Sequence, residues 1–434
     1  MRILVLTTDL WDDISNGNNI QTNWFEDFDA EFANIYTVPG IPNNKICRRY
    51  FQVTDSMMVK SFFGRKAGCE LSSSDLEVVS GNGFVNAEPD NFNFYNMLRS
   101  HSGELLRWCR DLLWEFGFYD KKAMKSFIDD FNPDVVFCPH LFSMKSRRLE
   151  RIVHSMTNAP MVCFNGDAEA SLRAISYNPL FWYRRIRDHF LYPSYIKKFS
   201  YSFTFSPRWS KWLTQKFDIP SEPLYKCIQI APFLKKDIND PIRIVYAGSL
   251  YCNRWKTLSV IGDALKTLNA DRINAELFVY SQSILTDEQK EALSSDKFIH
   301  FMGCVRPDQL PQIYKDADIA LHVESFDKKY MLETEHSFST KLTDLMMSTC
   351  AIMAICWEQN SGWNYVHDKD AAICLSSYDE IFPKLREIIN NPQIIQTYAY
   401  KAYKCGINNH SREKIQKQIR KVFEKVISEG RKNI

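Results

Sequence analysis

Five short apolar runs in the second half of the chain restrict its fold more than any other feature. They are Ile242–Ala247, Glu276–Tyr280, Lys297–Met302, Ile319–Val323 and Ala351–Ile355. Each is too short for a buried helix and nearly free of polar residues, which is how a strand covered on both faces reads. Helix patterns lie between them: about 256–269, a start at Thr286-Asp287-Glu288, Pro307–Lys315 and Thr340–Met347. Such alternation predicts βαβ units, a parallel sheet and a doubly wound domain.

The first half carries the same signal less densely. Residues 2–8, Asp134–Pro139 and Met161–Phe164 read as buried strands, and 121–131 and the basic stretch 140–158 as helices. Residues 40–100, rich in Asn, Ser and Phe without a clean period, predict irregular loops with short elements. Pro220 to Pro241 holds prolines 220, 223, 232 and 241, the composition of a linker. Near the end, Ile415, Ile419, Val422, Phe423, Val426 and Ile427 fall at helical spacing. The expected organisation is a Rossmann-like domain over 1–219, a linker over 220–241, a second Rossmann-like domain over 242–408 and a terminal helix over 409–434.

Composition removes several function classes. A 434-residue chain that is 45% apolar and 14% aromatic is too hydrophobic to be disordered. Its 54 basic and 52 acidic residues leave a net +2, so no global footprint for nucleic acid exists. The twelve cysteines form no CxxC and no zinc spacing with His. They read as small buried hydrophobes of a reducing compartment, with no disulfide framework and no metal site expected. The apolar start Ile3–Leu6 is too short for a signal peptide and runs at once into Asp9, Asp12 and Asp13. No run of 18 apolar residues occurs. A soluble cytoplasmic protein, at most peripheral on the inner face of a membrane, is expected.

The open α/β sheet places a ligand at the carboxyl ends of its strands. The dinucleotide fingerprint is missing: Gly81-Asn82-Gly83 has no glycine at 86 and no preceding strand. Walker A is missing too, so nicotinamide, flavin and P-loop chemistry are not expected, nor any cofactor. After Ile242–Ala247, however, come Gly248 and Ser249, then Arg254 and Lys256. Glycine lets a ligand approach the backbone, and guanidinium grips phosphate oxygens bidentately. The bland reading, ordinary cations on a solvated helix start, stays equally open for this segment alone. Ile319–Val323 runs into Glu324 and a polar loop, and Ser339-Thr340-Lys341 opens a helix that carries Asp344. Free N–H groups, a lysine and a carboxylate one turn on would suit a diphosphate and a ribose. The bland reading there is a simple N-cap beside a solvated lysine.

These passages resemble the nucleotide-sugar domain of retaining GT-B glycosyltransferases of family 4. The resemblance rests on Val245-Tyr246-Ala247-Gly248-Ser249-Leu250, on Ile299 to Val305 and on Leu310 to Ile319, with Phe338 to Met347 matching the end of the E-x7-E motif. It covers about a quarter of the chain strongly, and the Ser-Phe-Ser-Thr-Lys version resembles a bacterial surface-polysaccharide branch. It implies two Rossmann-like domains facing a cleft, with the terminal helix crossing back to the first. It also implies a nucleotide-sugar donor, a saccharide or lipid-linked acceptor and transfer with retention, without a metal. Arg254 with Lys256 or Lys341 would hold the diphosphate; Gly248, Ser249, Ser281, Glu324, Ser339, Thr340 and Asp344 would complete the donor site. Two departures stand out. If Asp344 takes the second acidic position, the first falls on His336, with Glu333 and Glu335 nearby. The usual Gly-x-Pro after the helix is Thr349-Cys350-Ala351. A nucleotide-sugar epimerase and a catalytically degenerate scaffold subunit are therefore the rivals.

In the first half, Asn16 and Gly17 follow the first strand, His140 follows Pro139, and Asp167 follows Phe164-Asn165-Gly166. All sit where an acceptor-side loop belongs. His140 reads either as a general base or as a hydrogen-bonded loop residue. Residues 181–199 interleave aromatic and basic side chains. A half-buried helix with solvated cations and a contact with an inner-membrane surface both account for that pattern, and nucleic acid is the weakest reading.

Overall fold

The computed structural model describes residues 1–13, 20–71, 103–139, 143–166, 171–294 and 297–432. The chain divides into two compact units, Met1–Leu224 with Gln416–Ile434, and Tyr225–Ile415.

The first unit is built on an eight-stranded sheet of order β4-β3-β2-β1-β5-β6-β7-β8. The strands are β1 (Arg2–Thr7), β2 (Glu31–Tyr36), β3 (Arg49–Gln52), β4 (Cys69–Glu70), β5 (Val135–Cys138), β6 (Met161–Asn165), β7 (Tyr201–Thr204) and β8 (Ser221–Pro223). Every pairing is parallel except β3 with β4. β1 is central because its side chains from Ile3 onward are buried on both faces. β2, β7 and β8 were not foreseen, since polar residues break their apolar runs. In β2 the intruder is Asn34, fully buried, whose amide donates to Val5 O at 3.0 Å and Thr7 Oγ1 at 3.1 Å. Part of the expected irregular stretch is likewise regular, as β3, the helix Asp55–Ser61 and β4.

Helices pack on both faces of this sheet. Lys121–Phe131 opens on the Asp120 carboxylate, which accepts from Ala123 N at 3.1 Å, and ends at Asn132 in the left-handed region (φ 48°). The terminal helix, Arg412–Lys432, contributes its residues from Gln416 onward to this unit. There Phe423 is fully buried, 5.6 Å from the Phe137 ring, and Gln416 Nε2 donates to the carbonyls of Trp24 and Glu26 at 3.0 and 2.7 Å.

The second unit is wholly parallel, in the order β11-β10-β9-β12-β13-β14. Its strands are β9 (Ile242–Ala247), β10 (Ala275–Tyr280), β11 (Ile299–Gly303), β12 (Ile319–Val323), β13 (Ala351–Ile355) and β14 (Ile373–Leu375). The chain winds outward from β9 to β11, then returns to the other side of β9 with β12. That reversal leaves a crevice outside the carboxyl ends of β9 and β12.

The proline-rich stretch is not a free tether: its residues from Tyr225 on belong to the second unit. Lys236 Nζ donates to the carbonyls of Tyr314, Lys315 and Ala317, Asn239 Nδ2 to Asp318 Oδ2 at 3.0 Å, and Ile228 N to His410 O at 2.9 Å. Proline removes regular ladders and helices, not contacts. Eight of the twelve cysteines are buried, while Cys69, Cys109 and Cys304 are exposed.

Phe423→Ala removes a fully buried ring that two elements of the first unit share. We expect a loss of about 3–5 kcal/mol in chemical denaturation. A loss below about 1 kcal/mol would mean that the terminal helix merely lies against the sheet.

Candidate functional site

β9 ends at Ala247, and the Gly248 N–H continues the ladder to Tyr280 O at 2.9 Å. A Cβ on Gly248 would lie 1.7 Å from Lys341 Nζ. The absence of a side chain there is thus what lets the ammonium reach the strand end. The Lys341 ammonium stands 5.3 Å from the centre of the Tyr246 ring, whose hydroxyl donates to Ser249 O at 2.7 Å. Leu250 N and Ser281 Oγ both donate to Ser283 Oγ, at 3.2 and 3.1 Å, joining the loops after β9 and β10.

The loop after β9 then makes a tight turn, with Cys252 and Asn253 both left-handed (φ 59° and 57°). Two consecutive non-glycine residues in that region carry a local cost that neighbours must offset. The offset comes from the loop after β12. Asp327 Oδ2 accepts from Asn253 Nδ2 at 2.8 Å and from Lys256 Nζ at 2.9 Å, and these bonds hold its carboxyl below the usual carboxylate range. Arg254 starts the helix Arg254–Leu268 and grips Glu324 bidentately, Nε to Oε2 at 2.9 Å and Nη2 to Oε1 at 2.8 Å. Glu324 is 4% exposed, and its carbonyl accepts from Thr257 Oγ1 at 2.6 Å.

Charge does not balance in this cluster. Lys256 has Asp327, and Arg254 has Glu324, but Lys341 Nζ makes no hydrogen bond or ion pair among the described residues. Burial, then repulsion from Arg254, pulls its pKa down to about 8, against a partial pull from Glu324. A half-buried ammonium held against another cation, with no carboxylate of its own, is chemically suited to an anion. His322, on β12, is 7% exposed and its Nε2 has no partner. Burial, then Arg254 and Lys341, lowers its pKa to about 3, so the imidazole is neutral at pH 7.

The structure thus gathers Gly248, Ser249, Arg254, Lys256, Ser281, Glu324 and Lys341 at the ends of β9, β10 and β12. Ser339 is the N-cap of the seven-residue helix Thr340–Met346, and its side chain makes no capping bond. Asp344 lies one turn on and is taken by Lys226 Nζ, at 2.7 and 2.9 Å. Of the acidic residues beside His336, Glu335 is buried and Glu333 exposed. Thr349 occupies a left-handed position (φ 64°), where glycine would sit at no cost. Asn16, Gly17, His140 and Asp167 lie outside the described residues. Sequence reasoning passed over Asp327, which no motif marks, and gave His322 no role, although a polar residue within an apolar strand was a signal. No group of His, Cys, Asp and Glu that could hold a metal ion occurs among the described residues.

No protein-family model matches the chain, and no curated protein matches it in sequence. Solved structures do match. Sucrose-phosphate synthase from Thermosynechococcus elongatus superposes with a TM-score of 0.62 at 11% identity, covering 99% of both chains. HepE from Anabaena, solved with UDP, gives 0.62 at 12% identity over 98% of this chain and 100% of that one. A mutant of S. aureus TarM, solved with fondaparinux, α-GlcNAc-glycerol and UDP, gives 0.51 at 9% identity over 70% of this chain; the match spans only 59% of the TarM chain. At such identities the shared property is the fold, and the chain has the GT-B fold, with two Rossmann-like α/β domains.

A titration checks the His322 environment. Its pKa is about 3 folded against an ordinary 6.5, so between those values the unfolded chain binds the extra proton. Stability therefore falls as pH drops from 6.5 toward 3, by up to about 1.4 kcal/mol per pH unit from this residue. His410, lowered to about 4 chiefly by burial, acts in the same direction. In His322→Leu the urea midpoint should change less between pH 7 and pH 4.5 than in the wild type; an unchanged pH dependence would contradict the assignment.

Proposed function

We propose that the chain is a glycosyltransferase whose second unit holds the diphosphate of a nucleotide-sugar donor at the crevice between β9 and β12. The observation that carries this reading is the half-buried, unpaired Lys341 ammonium beside the Arg254–Glu324 pair. Departure of a nucleoside diphosphate from a sugar places negative charge on phosphate oxygens. Fixed cations stabilise that charge without reorganising at the moment of reaction. Lys341 supplies a full charge. Arg254 supplies the donors that Glu324 leaves unused, and Glu324 holds the guanidinium in place. The loop bonds through Asp327 keep that geometry set in advance. Asp344 would exchange Lys226 for ribose hydroxyls. The solved neighbours lend support: HepE and TarM were each crystallised with UDP. Sugar transfer to a saccharide or lipid-linked acceptor, with retention, in surface-polysaccharide synthesis is the finer form of the proposal. His336 in the first acidic position favours the second reading, a catalytically degenerate subunit that scaffolds a polysaccharide-assembly complex.

Thermal unfolding against a panel of nucleoside diphosphates and nucleotide sugars tests the donor site. A ligand at 100 times its Kd stabilises by about 2.7 kcal/mol. We expect a shift with one nucleotide family, and no shift with any would overturn the reading. Product analysis with donor and acceptor separates transfer from epimerisation and from mere binding.

The site also makes a stability–function split. Lys341→Met removes a half-buried unpaired charge, so it should raise the melting temperature while abolishing the nucleotide shift. Arg254→Ala is the poorer probe, because it strands the buried Glu324 carboxylate and destabilises as well. Gly248→Ala should keep the fold, since the clash falls on the end of a flexible side chain, yet lose donor binding because the ammonium is displaced.

Lys341 further predicts a pH dependence. The free enzyme loses the ammonium proton as pH rises through about 8. Diphosphate affinity should then fall by roughly tenfold per pH unit above that point, until the higher pKa of the complex is reached. Calorimetric titration with UDP at pH 7, 8, 9 and 10 reads this; an affinity flat over that range would exclude Lys341 as the charge partner.

A further inference from the structure

The first unit carries a surface that donor chemistry does not use. On the helix Pro179–Ile196, Tyr183, Ile186 and Phe190 are exposed at spacings of three and four, which aligns them on one face. On the helix Glu104–Phe116, Leu112 and Phe116 do the same. The Arg187–Asp111 ion pair, at 2.8 Å, ties the two helices side by side. Next to them, the Phe62 and Phe118 rings meet at 6.0 Å while both stay exposed, and Phe63 is 82% exposed. Single exposed apolar residues are ordinary, but neighbouring elements that share an exposed apolar face mark an interaction site.

Among the described residues, the charges around this face are one-sided. Its acidic groups are turned inward or paired: Asp111 and Asp188 to Arg187, Glu115 to Arg151 at 3.4 Å, and Asp55 to the Trp114 indole N–H. Arg65 and Lys66 are exposed and follow Phe63 directly in the chain. Aromatic and branched aliphatic side chains with exposed cations at their border fit the headgroup–acyl boundary of an anionic bilayer. Nucleic acid would use the aromatics and cations but has no use for Leu112 and Ile186. No helix among the described residues is long and apolar enough to cross a membrane, so the contact is peripheral.

We propose that this face of the first unit docks on a membrane containing anionic phospholipid, with Phe63, Phe116, Tyr183 and Phe190 entering the headgroup layer. The inference rests on the first unit alone and holds whether or not the second unit transfers sugar. The test is flotation of the full chain with phosphatidylcholine vesicles with and without phosphatidylglycerol. Binding to the anionic vesicles should weaken with salt and be slight on phosphatidylcholine alone. Two surface variants separate the contributions: Tyr183→Glu with Phe190→Glu, and Arg65→Glu with Lys66→Glu. Each should lower partitioning by on the order of tenfold or more, with unchanged circular dichroism and melting. No flotation with either vesicle, or variants that float like the wild type, would overturn the proposal. So would a wild-type dimer in sizing chromatography that the apolar variant dissolves, since the face would then be a contact between copies of this chain.

Discussion

Glu324 answers one of the two cations that crowd the end of β12, and the rest of the second unit is arranged around that shortfall. Glu324 is nearly sealed from water and grips Arg254 through two bonds, so the guanidinium is held in place. Lys341 is left with an aromatic face and a glycine for neighbours. Burying an ammonium in this way is unfavourable, and the depressed pKa of Lys341 records it.

The surrounding architecture keeps this charge from relaxing. β9 and β12 are neighbours in the sheet although their connection runs through β10 and β11, so their following loops meet at the reversal of strand order. Asn253, Lys256 and Asp327 brace those loops across the crevice and hold two left-handed residues in place. At the opposite end of the sheet, Asp318 accepts from Arg243 N at 2.7 Å and from Asn239, fixing where β9 and β12 begin. A rigid sheet with both ends tied leaves little freedom at the cluster between them.

The two units divide their surface chemistry. The second gathers buried charge at strand ends, which suits a small anion held at close range. The first exposes aromatics and cations on helices, which suits a broad, soft surface. Both arrangements use lysine and arginine, but burial decides what each cation does: a desolvated one acts over a few ångströms, and an exposed one acts through a screened field.

The buried parallel strands were legible because both of their faces are apolar, so β9, β12 and β13 begin and end where their apolar runs do. Helix starts at Thr286 and Asp120 follow from local capping chemistry. β2 and β7 were hidden, because a buried Asn or Thr reads as polar until its partner is known: β1 for Asn34, the Ser210 hydroxyl of the following helix for Thr204. The same limit applies to the candidate site. Spacing pointed to Gly248, Arg254 and Lys341 as residues suited to an anion. That Arg254 is already held by Glu324, that Asp344 is held by Lys226, and that Lys341 stands unpaired are consequences of tertiary placement alone. Periodicity and capping act between near neighbours and survive in a linear reading. The balance of charge in a crevice depends on which distant side chains fall within a few ångströms, and only the folded sheet decides that.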